Sequence, residues 1–99
     1  MNEPFIQIMV AFLRDQSVSA DARWLGTILA TYANRQGIAW PGMARLMKEA
    51  HLSRHRFEDA RAELARAGYI RIAQNRGERG RFLVARYEIT RKILRRSPL

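Results

Sequence analysis

Two amphipathic segments separated by only two residues constrain the fold of this chain more than any other feature. In the second segment, Ser53 is a favourable N-cap and Gly68 a favourable C-terminal stop, which predicts a helix from Ser53 to Ala67. Its core-facing stripe recurs at three- and four-residue spacing: Phe57, Ala60, Leu64 and Ala67. The opposite face is charged: Arg54, His55, Arg56, Asp59, Glu63 and Arg66.

A shorter helix is predicted directly before it. Pro41 suits the first helical position because its missing N–H has no partner there. The apolar face that follows consists of Met43, Ala44, Leu46, Met47 and Ala50. Only His51 and Leu52 separate this helix from Ser53, a linker typical of a helix-turn-helix. The second helix opens with Ser-Arg-His-Arg, a donor-rich N-terminus suited to a DNA major groove.

After Gly68 the hydrophobic period changes from helical to alternating. The alternation predicts one strand over Tyr69–Gln74 and a second over residues 83–90. The connecting segment 75–81 contains two glycines and three arginines, which is typical of a hairpin loop with a cationic tip. Arginines in such a loop can enter a minor groove or hold phosphates.

The N-terminal half supplies scaffold elements. Ser19 is the expected N-cap of a third helix, which ends at residues 34–37 and has a wide apolar face: Trp24, Leu25, Ile28, Leu29 and Tyr32. Trp24 and Trp40 could stack on bases, but we interpret both as core anchors. The apolar segment 5–13 predicts a short strand and then a short helix from Val10 to Arg14, in the core or at an interface.

The chain resembles a known family in the pattern Ala39-Trp40-Pro41, Ala44, Leu46, Leu52-Ser53-Arg54, Ala60, Leu64 and Gly68-Tyr69-Ile70. These residues are similar to the winged helix-turn-helix domains of bacterial, plasmid and phage regulators and replication initiators, over residues 5–90. The resemblance implies one α+β domain over residues 1–99. Its parts would be a three-helix core, a C-terminal β-hairpin wing, an N-terminal short strand and helix, and a basic tail over 91–99.

Two positions depart from the family pattern. The turn residue that is usually glycine is His51, which would have to adopt a positive φ. A small Thr-Val pair of the second helix is replaced by Arg56-Phe57, so the family's base preference does not carry over. In such folds the N-terminal segment often pairs with the wing or forms a dimer contact, and we therefore keep a homodimer as a hypothesis.

The net charge of +9 is unevenly distributed. Residues 1–50 hold five cations and four acids, residues 51–74 five and three, and residues 75–99 eight and two. Of the 18 cations only Lys48 and Lys92 are lysines, a bias suited to forked contacts with phosphates and guanines. A positive field concentrated in the C-terminal quarter indicates a polyanionic partner. The alternative is a basic charge that serves only solubility.

Binding to double-stranded DNA is thus the expected function, with three groups of contact residues. Base edges would be contacted from the start of the second helix by Arg54, His55, Arg56 and Asp59. Flanking phosphates would be held by Arg45, Lys48 and Ser53. The wing would contribute Arg76, Arg79 and Arg81.

The expected role is that of a repressor-like transcriptional regulator. The first alternative is the DNA-binding domain of a plasmid or phage replication initiator or maintenance protein, which would use the same surface. The second is a protein-interaction winged helix that binds through the apolar N-terminal segment and outward Phe82 and Val84. The basic segment 91–96 is expected as a short helix or a flexible arm. The sequence leaves open whether the chain is a full protein or the N-terminal domain of a longer one.

Catalytic and metal chemistry is not expected. The chain has no cysteine, and the predicted helix break at Ser53 separates His51 from His55. The acids Glu58, Asp59 and Glu63 lie among arginines and are interpreted as partners in intrahelical ion pairs. We expect no enzyme activity, cofactor, metal or small-molecule ligand. Nothing in the sequence resembles a signal peptide, and the apolar run is too short for a bilayer, so we expect a cytoplasmic protein without a membrane partner.

Overall fold

Helices dominate residues 10–66, and strands dominate residues 70–95. The computed structural model describes residues 6–76 and 83–95, and within them it contains four helices and two small antiparallel sheets. In chain order the elements are β1 (Gln7–Ile8), α1 (Val10–Leu13), α2 (Ala20–Thr31), β2 (Ile38–Ala39), α3 (Met43–Ala50), α4 (Arg54–Arg66), β3 (Ile70–Arg76), β4 (Leu83–Ile89) and β5 (Leu94–Arg95). The fold class is therefore α+β.

Helix α2 begins at the predicted cap and is joined there to α4. The Ser19 hydroxyl accepts a hydrogen bond from the backbone N–H of Ala22 at 3.1 Å. The Glu63 carboxylate accepts from the N–H and the hydroxyl of Ser19, at 2.8 and 2.7 Å. The expected intrahelical ion pair of Glu63 is therefore wrong, because its carboxylate bonds to the start of α2 instead.

The turn between α3 and α4 has the predicted left-handed residue. His51 lies at φ 56° and ψ 42°, a conformation that histidine adopts more readily than most residues.

The prediction that Pro41 occupies the first position of α3 is wrong. Gly42 is the extended N-cap of α3, so the helix starts at Met43 and Pro41 lies before the cap, where it is buried. Gly68, at φ 80°, ends the α4 region as predicted.

A three-stranded antiparallel sheet has the order β2-β4-β3. The hairpin register runs from Ile70 opposite Ile89 to Arg76 opposite Leu83, so β3 extends two residues beyond its predicted end at Gln74. Strand β2 adds Ile38 opposite Glu88 at the other side of β4. It was not predicted, because two residues are too few for an alternating pattern.

Residues 91–95 of the basic tail form a turn and a strand, where a helix or a flexible arm was expected. Ile93 and Leu94 are buried, and β5 pairs with β1 so that Ile8 lies opposite Leu94. The N-terminal strand thus has the C-terminal strand as its backbone partner and not the hairpin. This pairing joins the two ends of the described chain.

The core lies where α2 crosses α4 and meets the sheet. Its largest fully buried side chains are Tyr87, Phe12, Phe57, Leu25, Leu29, Leu46, Leu64, Ile70 and Ile93. The predicted stripe of α4 supplies Phe57, Ala60 and Leu64, all without exposed surface. No helix among residues 6–76 and 83–95 combines the length and apolarity needed to cross a membrane.

A hydrogen bond between Tyr69 and Asp15 makes the stability of the fold depend on pH at both extremes. Hydrogen bonds from the Ser17 hydroxyl and then from Tyr69 lower the pKa of Asp15 from 3.8 to about 2. The bond to Asp15, together with burial, raises the pKa of Tyr69 from 10.0 to about 12.

We expect the Asp15 contribution to be complete above about pH 4 and to be lost as the pH falls toward about 2. The Tyr69 contribution should be present below pH 10 and lost as the pH rises through about 12. Thermal melts across both windows, compared with Asp15→Asn, measure this dependence. Parallel pH profiles for the two proteins would show that the bond contributes nothing.

Candidate nucleic-acid interface

The first turns of α4 present their polar side chains to solvent. The side chains of Arg54 and His55 are 71% and 86% exposed, and that of Asp59 is 66% exposed. The Ser53 hydroxyl accepts from the backbone N–H of Arg56 at 3.3 Å, which stabilises the helix start. The predicted surface at this helix N-terminus is therefore accessible.

Two side-chain contacts along α4 orient these residues without fixing them. Arg54 lies 3.7 Å from Glu58, and His55 lies 3.3 Å from Asp59, each pair one turn apart. Exposed pairs of this spacing contribute only about 0.3–0.5 kcal/mol. A nucleic-acid phosphate or base edge can therefore replace the acidic partner at little cost.

Arg56 differs from its neighbours because α2 holds it. Its guanidinium donates two hydrogen bonds to the Asp21 carboxylate, at 2.8 and 2.7 Å. The hydrogen bond from Arg56 lowers the pKa of Asp21, and the same bond raises the pKa of Arg56. From the sequence, Arg56 is equivalent to Arg54 and His55 as a donor to bases; in the structure its charge is compensated by Asp21. We call this pair the Asp21–Arg56 clamp.

Replacing Asp21 with asparagine should release Arg56 for an external anion. Under the expected DNA function, one more available cation steepens the slope of log affinity against log salt by about 0.9. Fluorescence anisotropy with a duplex at several salt concentrations measures this slope. Glu88→Gln is the matched control, since it removes an acid that pairs with Arg71 at 2.6 Å on the hairpin. Equal slopes for the unmodified chain, Asp21→Asn and Glu88→Gln would contradict a role for the clamp.

Helix α3 contributes a second exposed basic segment. Arg45 and Lys48 line an open cleft of about 570 Å³ together with Ala44, Glu49 and His51. The two predicted phosphate contacts on α3 thus lie on one surface that extends to the turn before α4. Glu49, the acid that lines this cleft, accepts a hydrogen bond at 2.5 Å from Tyr32, the residue that follows α2.

The hairpin of β3 and β4 runs beside α4, and two contacts give their relative direction. At the C-terminal end of α4, the Thr90 hydroxyl donates to the backbone carbonyl of Gly68 at 3.1 Å. Near the middle of α4, the Arg61 guanidinium donates to the Tyr87 hydroxyl of β4 at 3.4 Å. From this second contact, the N-cap of α4 lies about 12 Å away along the helix axis, and the first residue of β4 lies about 13 Å away along the strand. The N-terminus of α4 and the loop end of the hairpin therefore lie toward the same end of the molecule.

The predicted wing contacts are only partly within the described residues. Arg76 is the last residue of β3, and its backbone lies opposite Leu83 in the register. Arg79, Arg81 and Phe82 lie outside the described residues. Their roles stay predictions.

The two tryptophans are exposed, and their interpretation as core anchors is wrong. Trp24 is 51% and Trp40 is 52% exposed. Helix α2 buries Ala22, Leu25 and Leu29, and a residue two positions after Ala22 points to the opposite side. A helical wheel centred on Ala22, Leu25 and Leu29 would therefore have placed Trp24 outside the core. Trp24 follows Asp21 by three residues, so it neighbours the Asp21–Arg56 clamp on the surface of α2.

Comparisons with protein-family models, curated protein sequences and solved structures find no match. Within residues 6–76 and 83–95, no group of three or more His, Cys, Asp or Glu side chains is placed to hold a metal ion. Together, α3 and the start of α4 present exposed cations and hydrogen-bond donors on the described surface.

Proposed function

We propose that this chain is a winged helix-turn-helix domain that binds double-stranded DNA in a sequence-specific way, as a repressor-like transcriptional regulator. One observation carries the proposal. The exposed, donor-rich first turn of α4 and the loop end of the hairpin lie toward the same end of the molecule. A duplex could then contact a helix in its major groove and a β-ribbon beside it.

Each group of residues has a distinct role in this proposal. Arg54 and His55 contact base edges, and Asp59 accepts from a cytosine amino group once His55 turns toward the DNA. Arg56 joins them when phosphate or base replaces Asp21. Arg45, Lys48 and Ser53 hold flanking phosphates, and Arg76, Arg79 and Arg81 hold the backbone or minor groove.

The salt dependence of binding tests the proposal. If about five phosphates are neutralised per subunit, the logarithm of affinity should fall with log salt at a slope of about −4 to −5. Anisotropy titrations with a random duplex and with a duplex selected from a library provide the measurement. Absence of binding to either duplex at low salt would overturn the proposed function. Binding of both with equal affinity would overturn its sequence specificity.

A replication-initiator or plasmid-maintenance role would use the same surface. It differs in the DNA it selects, because an initiator binds repeated sites of an origin and a repressor binds an operator near a promoter. Sequencing the fragments that the chain retains from genomic and plasmid DNA separates these roles. In either case the proposed location is the cytoplasm, where the DNA is.

A second candidate function, binding to another protein, is favoured by one observation. Val10 and Leu13 of α1 are large apolar residues with 59% and 46% of their surface exposed. Such a surface suits a second copy of the chain or another apolar partner. Sedimentation with and without duplex tests the homodimer. A monomer in both conditions, at micromolar concentration, would remove it.

A further inference from the structure

Three arginines form a separate basic site around an open cleft of about 810 Å³. Arg35 follows α2, Arg91 follows β4 and Arg95 belongs to β5. The remaining lining residues carry no charge: Met9, Gln36, Gly37, Ile89 and Leu94. Within residues 6–76 and 83–95 none of the three arginines forms an ion pair. We call these residues the Arg35 cleft.

Two cations near the cleft in sequence, Lys92 and Arg71, have partners inside the protein. The Lys92 ammonium donates to the carbonyl of Ala67 at 2.9 Å and lies 4.9 Å from the centre of the Tyr69 ring. Arg71 pairs with Glu88. Like charges brought together without an acid repel one another, and a bound anion removes that repulsion. The Arg35 cleft is thus a site of positive charge that the described fold leaves uncompensated.

The position of the cleft separates it from the proposed DNA contact. Ile89, which lines the cleft, is the last residue of β4, and Leu83 at the loop end is the first. The two positions lie about 20 Å apart along the strand. Helix α4 likewise has its N-terminus toward the loop end. A duplex that contacts the start of α4 and the hairpin loop therefore leaves the Arg35 cleft free.

We propose that the Arg35 cleft binds the phosphate backbone of a second DNA segment, so that one molecule bridges two duplexes. This inference rests on the proposed function. Planar guanidinium groups donate paired hydrogen bonds to phosphate oxygens, and arginine suits this contact better than lysine. A backbone contact of this kind reads no sequence.

A two-duplex capture assay tests the inference. The full chain is added to a selected duplex fixed on beads, and retention of a second, fluorescent random duplex is measured. The test variant replaces Arg35, Arg91 and Arg95 with glutamine, which removes the charges and keeps polar side chains. We expect retention of the second duplex to fall at least about tenfold, while affinity for the first duplex changes less than about twofold.

The matched control replaces Arg14, Arg66 and Arg71 with glutamine, which removes the same charge outside the cleft. It should retain the second duplex. Thermal melts of both variants establish that they are folded.

Three outcomes would each overturn the second site. They are unchanged retention in the test variant, equal loss in the control, and a parallel loss of affinity for the first duplex. If the unmodified chain binds a single duplex but retains no second one, the inference fails and the proposed function stands. If it binds no duplex at all, the proposed function itself fails.

Discussion

Replacing Arg54 with alanine is expected to lower the affinity for a selected DNA site by about 1–3 kcal/mol, or about 5- to 150-fold. Its side chain is 71% exposed at the first helical position of α4, and its one acidic partner lies 3.7 Å away. The contact with Glu58 is too weak to compete with a bidentate contact to guanine. Affinity for random duplex should fall much less, because only the base contact is sequence-specific.

Arg66→Ala is the matched control for Arg54→Ala. Arg66 is an exposed arginine at the last position of the same helix, about 18 Å from Arg54 along its axis. It should affect both duplexes equally and slightly. Anisotropy titrations of both variants at one salt concentration measure the difference. If Arg54→Ala weakened the two duplexes to the same extent, Arg54 would be a phosphate contact and not a base reader.

Arg56→Ala should give a smaller loss of specificity than Arg54→Ala, and a loss of stability that Arg54→Ala lacks. Arg56 must leave Asp21 before it can contact DNA, and its removal leaves Asp21 without its partner. From the sequence, both arginines were predicted to contact bases. The difference between them comes from Asp21 on α2, 35 residues before Arg56 in the chain.

Local signals account for the part of the fold that could be predicted from sequence. Ser53 and Gly68 bound α4 because N-capping and the left-handed stop depend on single residues. His51 adopts the left-handed conformation at the C-cap of α3, the position where the family pattern has glycine. The alternating segments became the hairpin because the period of two places their side chains on opposite faces.

Contacts between distant residues account for the rest. The pairing of β1 with β5 joins residues that are far apart in the sequence, and each strand is only two residues long. The bonds from Ser19 to Glu63 span 44 residues. The pattern of charged residues on a predicted helix does not show which other helix they will contact. The accessible start of α4 was therefore predictable, and the Asp21–Arg56 clamp and the Arg35 cleft were not.

Gly26→Ala should destabilise the protein although alanine favours helices. Gly26 lies inside α2, and a Cβ there would be 2.6 Å from Phe12 Cζ, 3.2 Å from Leu64 Cδ2 and 3.3 Å from Ile93 Cδ1. All three neighbours are fully buried, so none can move into solvent. Overpacking of this kind costs about 1–3 kcal/mol, and the gain in helix propensity offsets up to about 1 kcal/mol of it.

A net loss of about 1–2 kcal/mol, which lies inside this range, lowers the melting temperature by about 4–15 °C for a domain of this size. Gly42→Ala is the matched control, because a Cβ at Gly42 meets no atom within 4 Å. Phe12→Leu combined with Gly26→Ala removes the closest contact, so the double variant should lose less stability than the two single changes add up to. Strict additivity of the two losses, or a higher melting temperature for Gly26→Ala alone, would mean that α2 does not need this close approach.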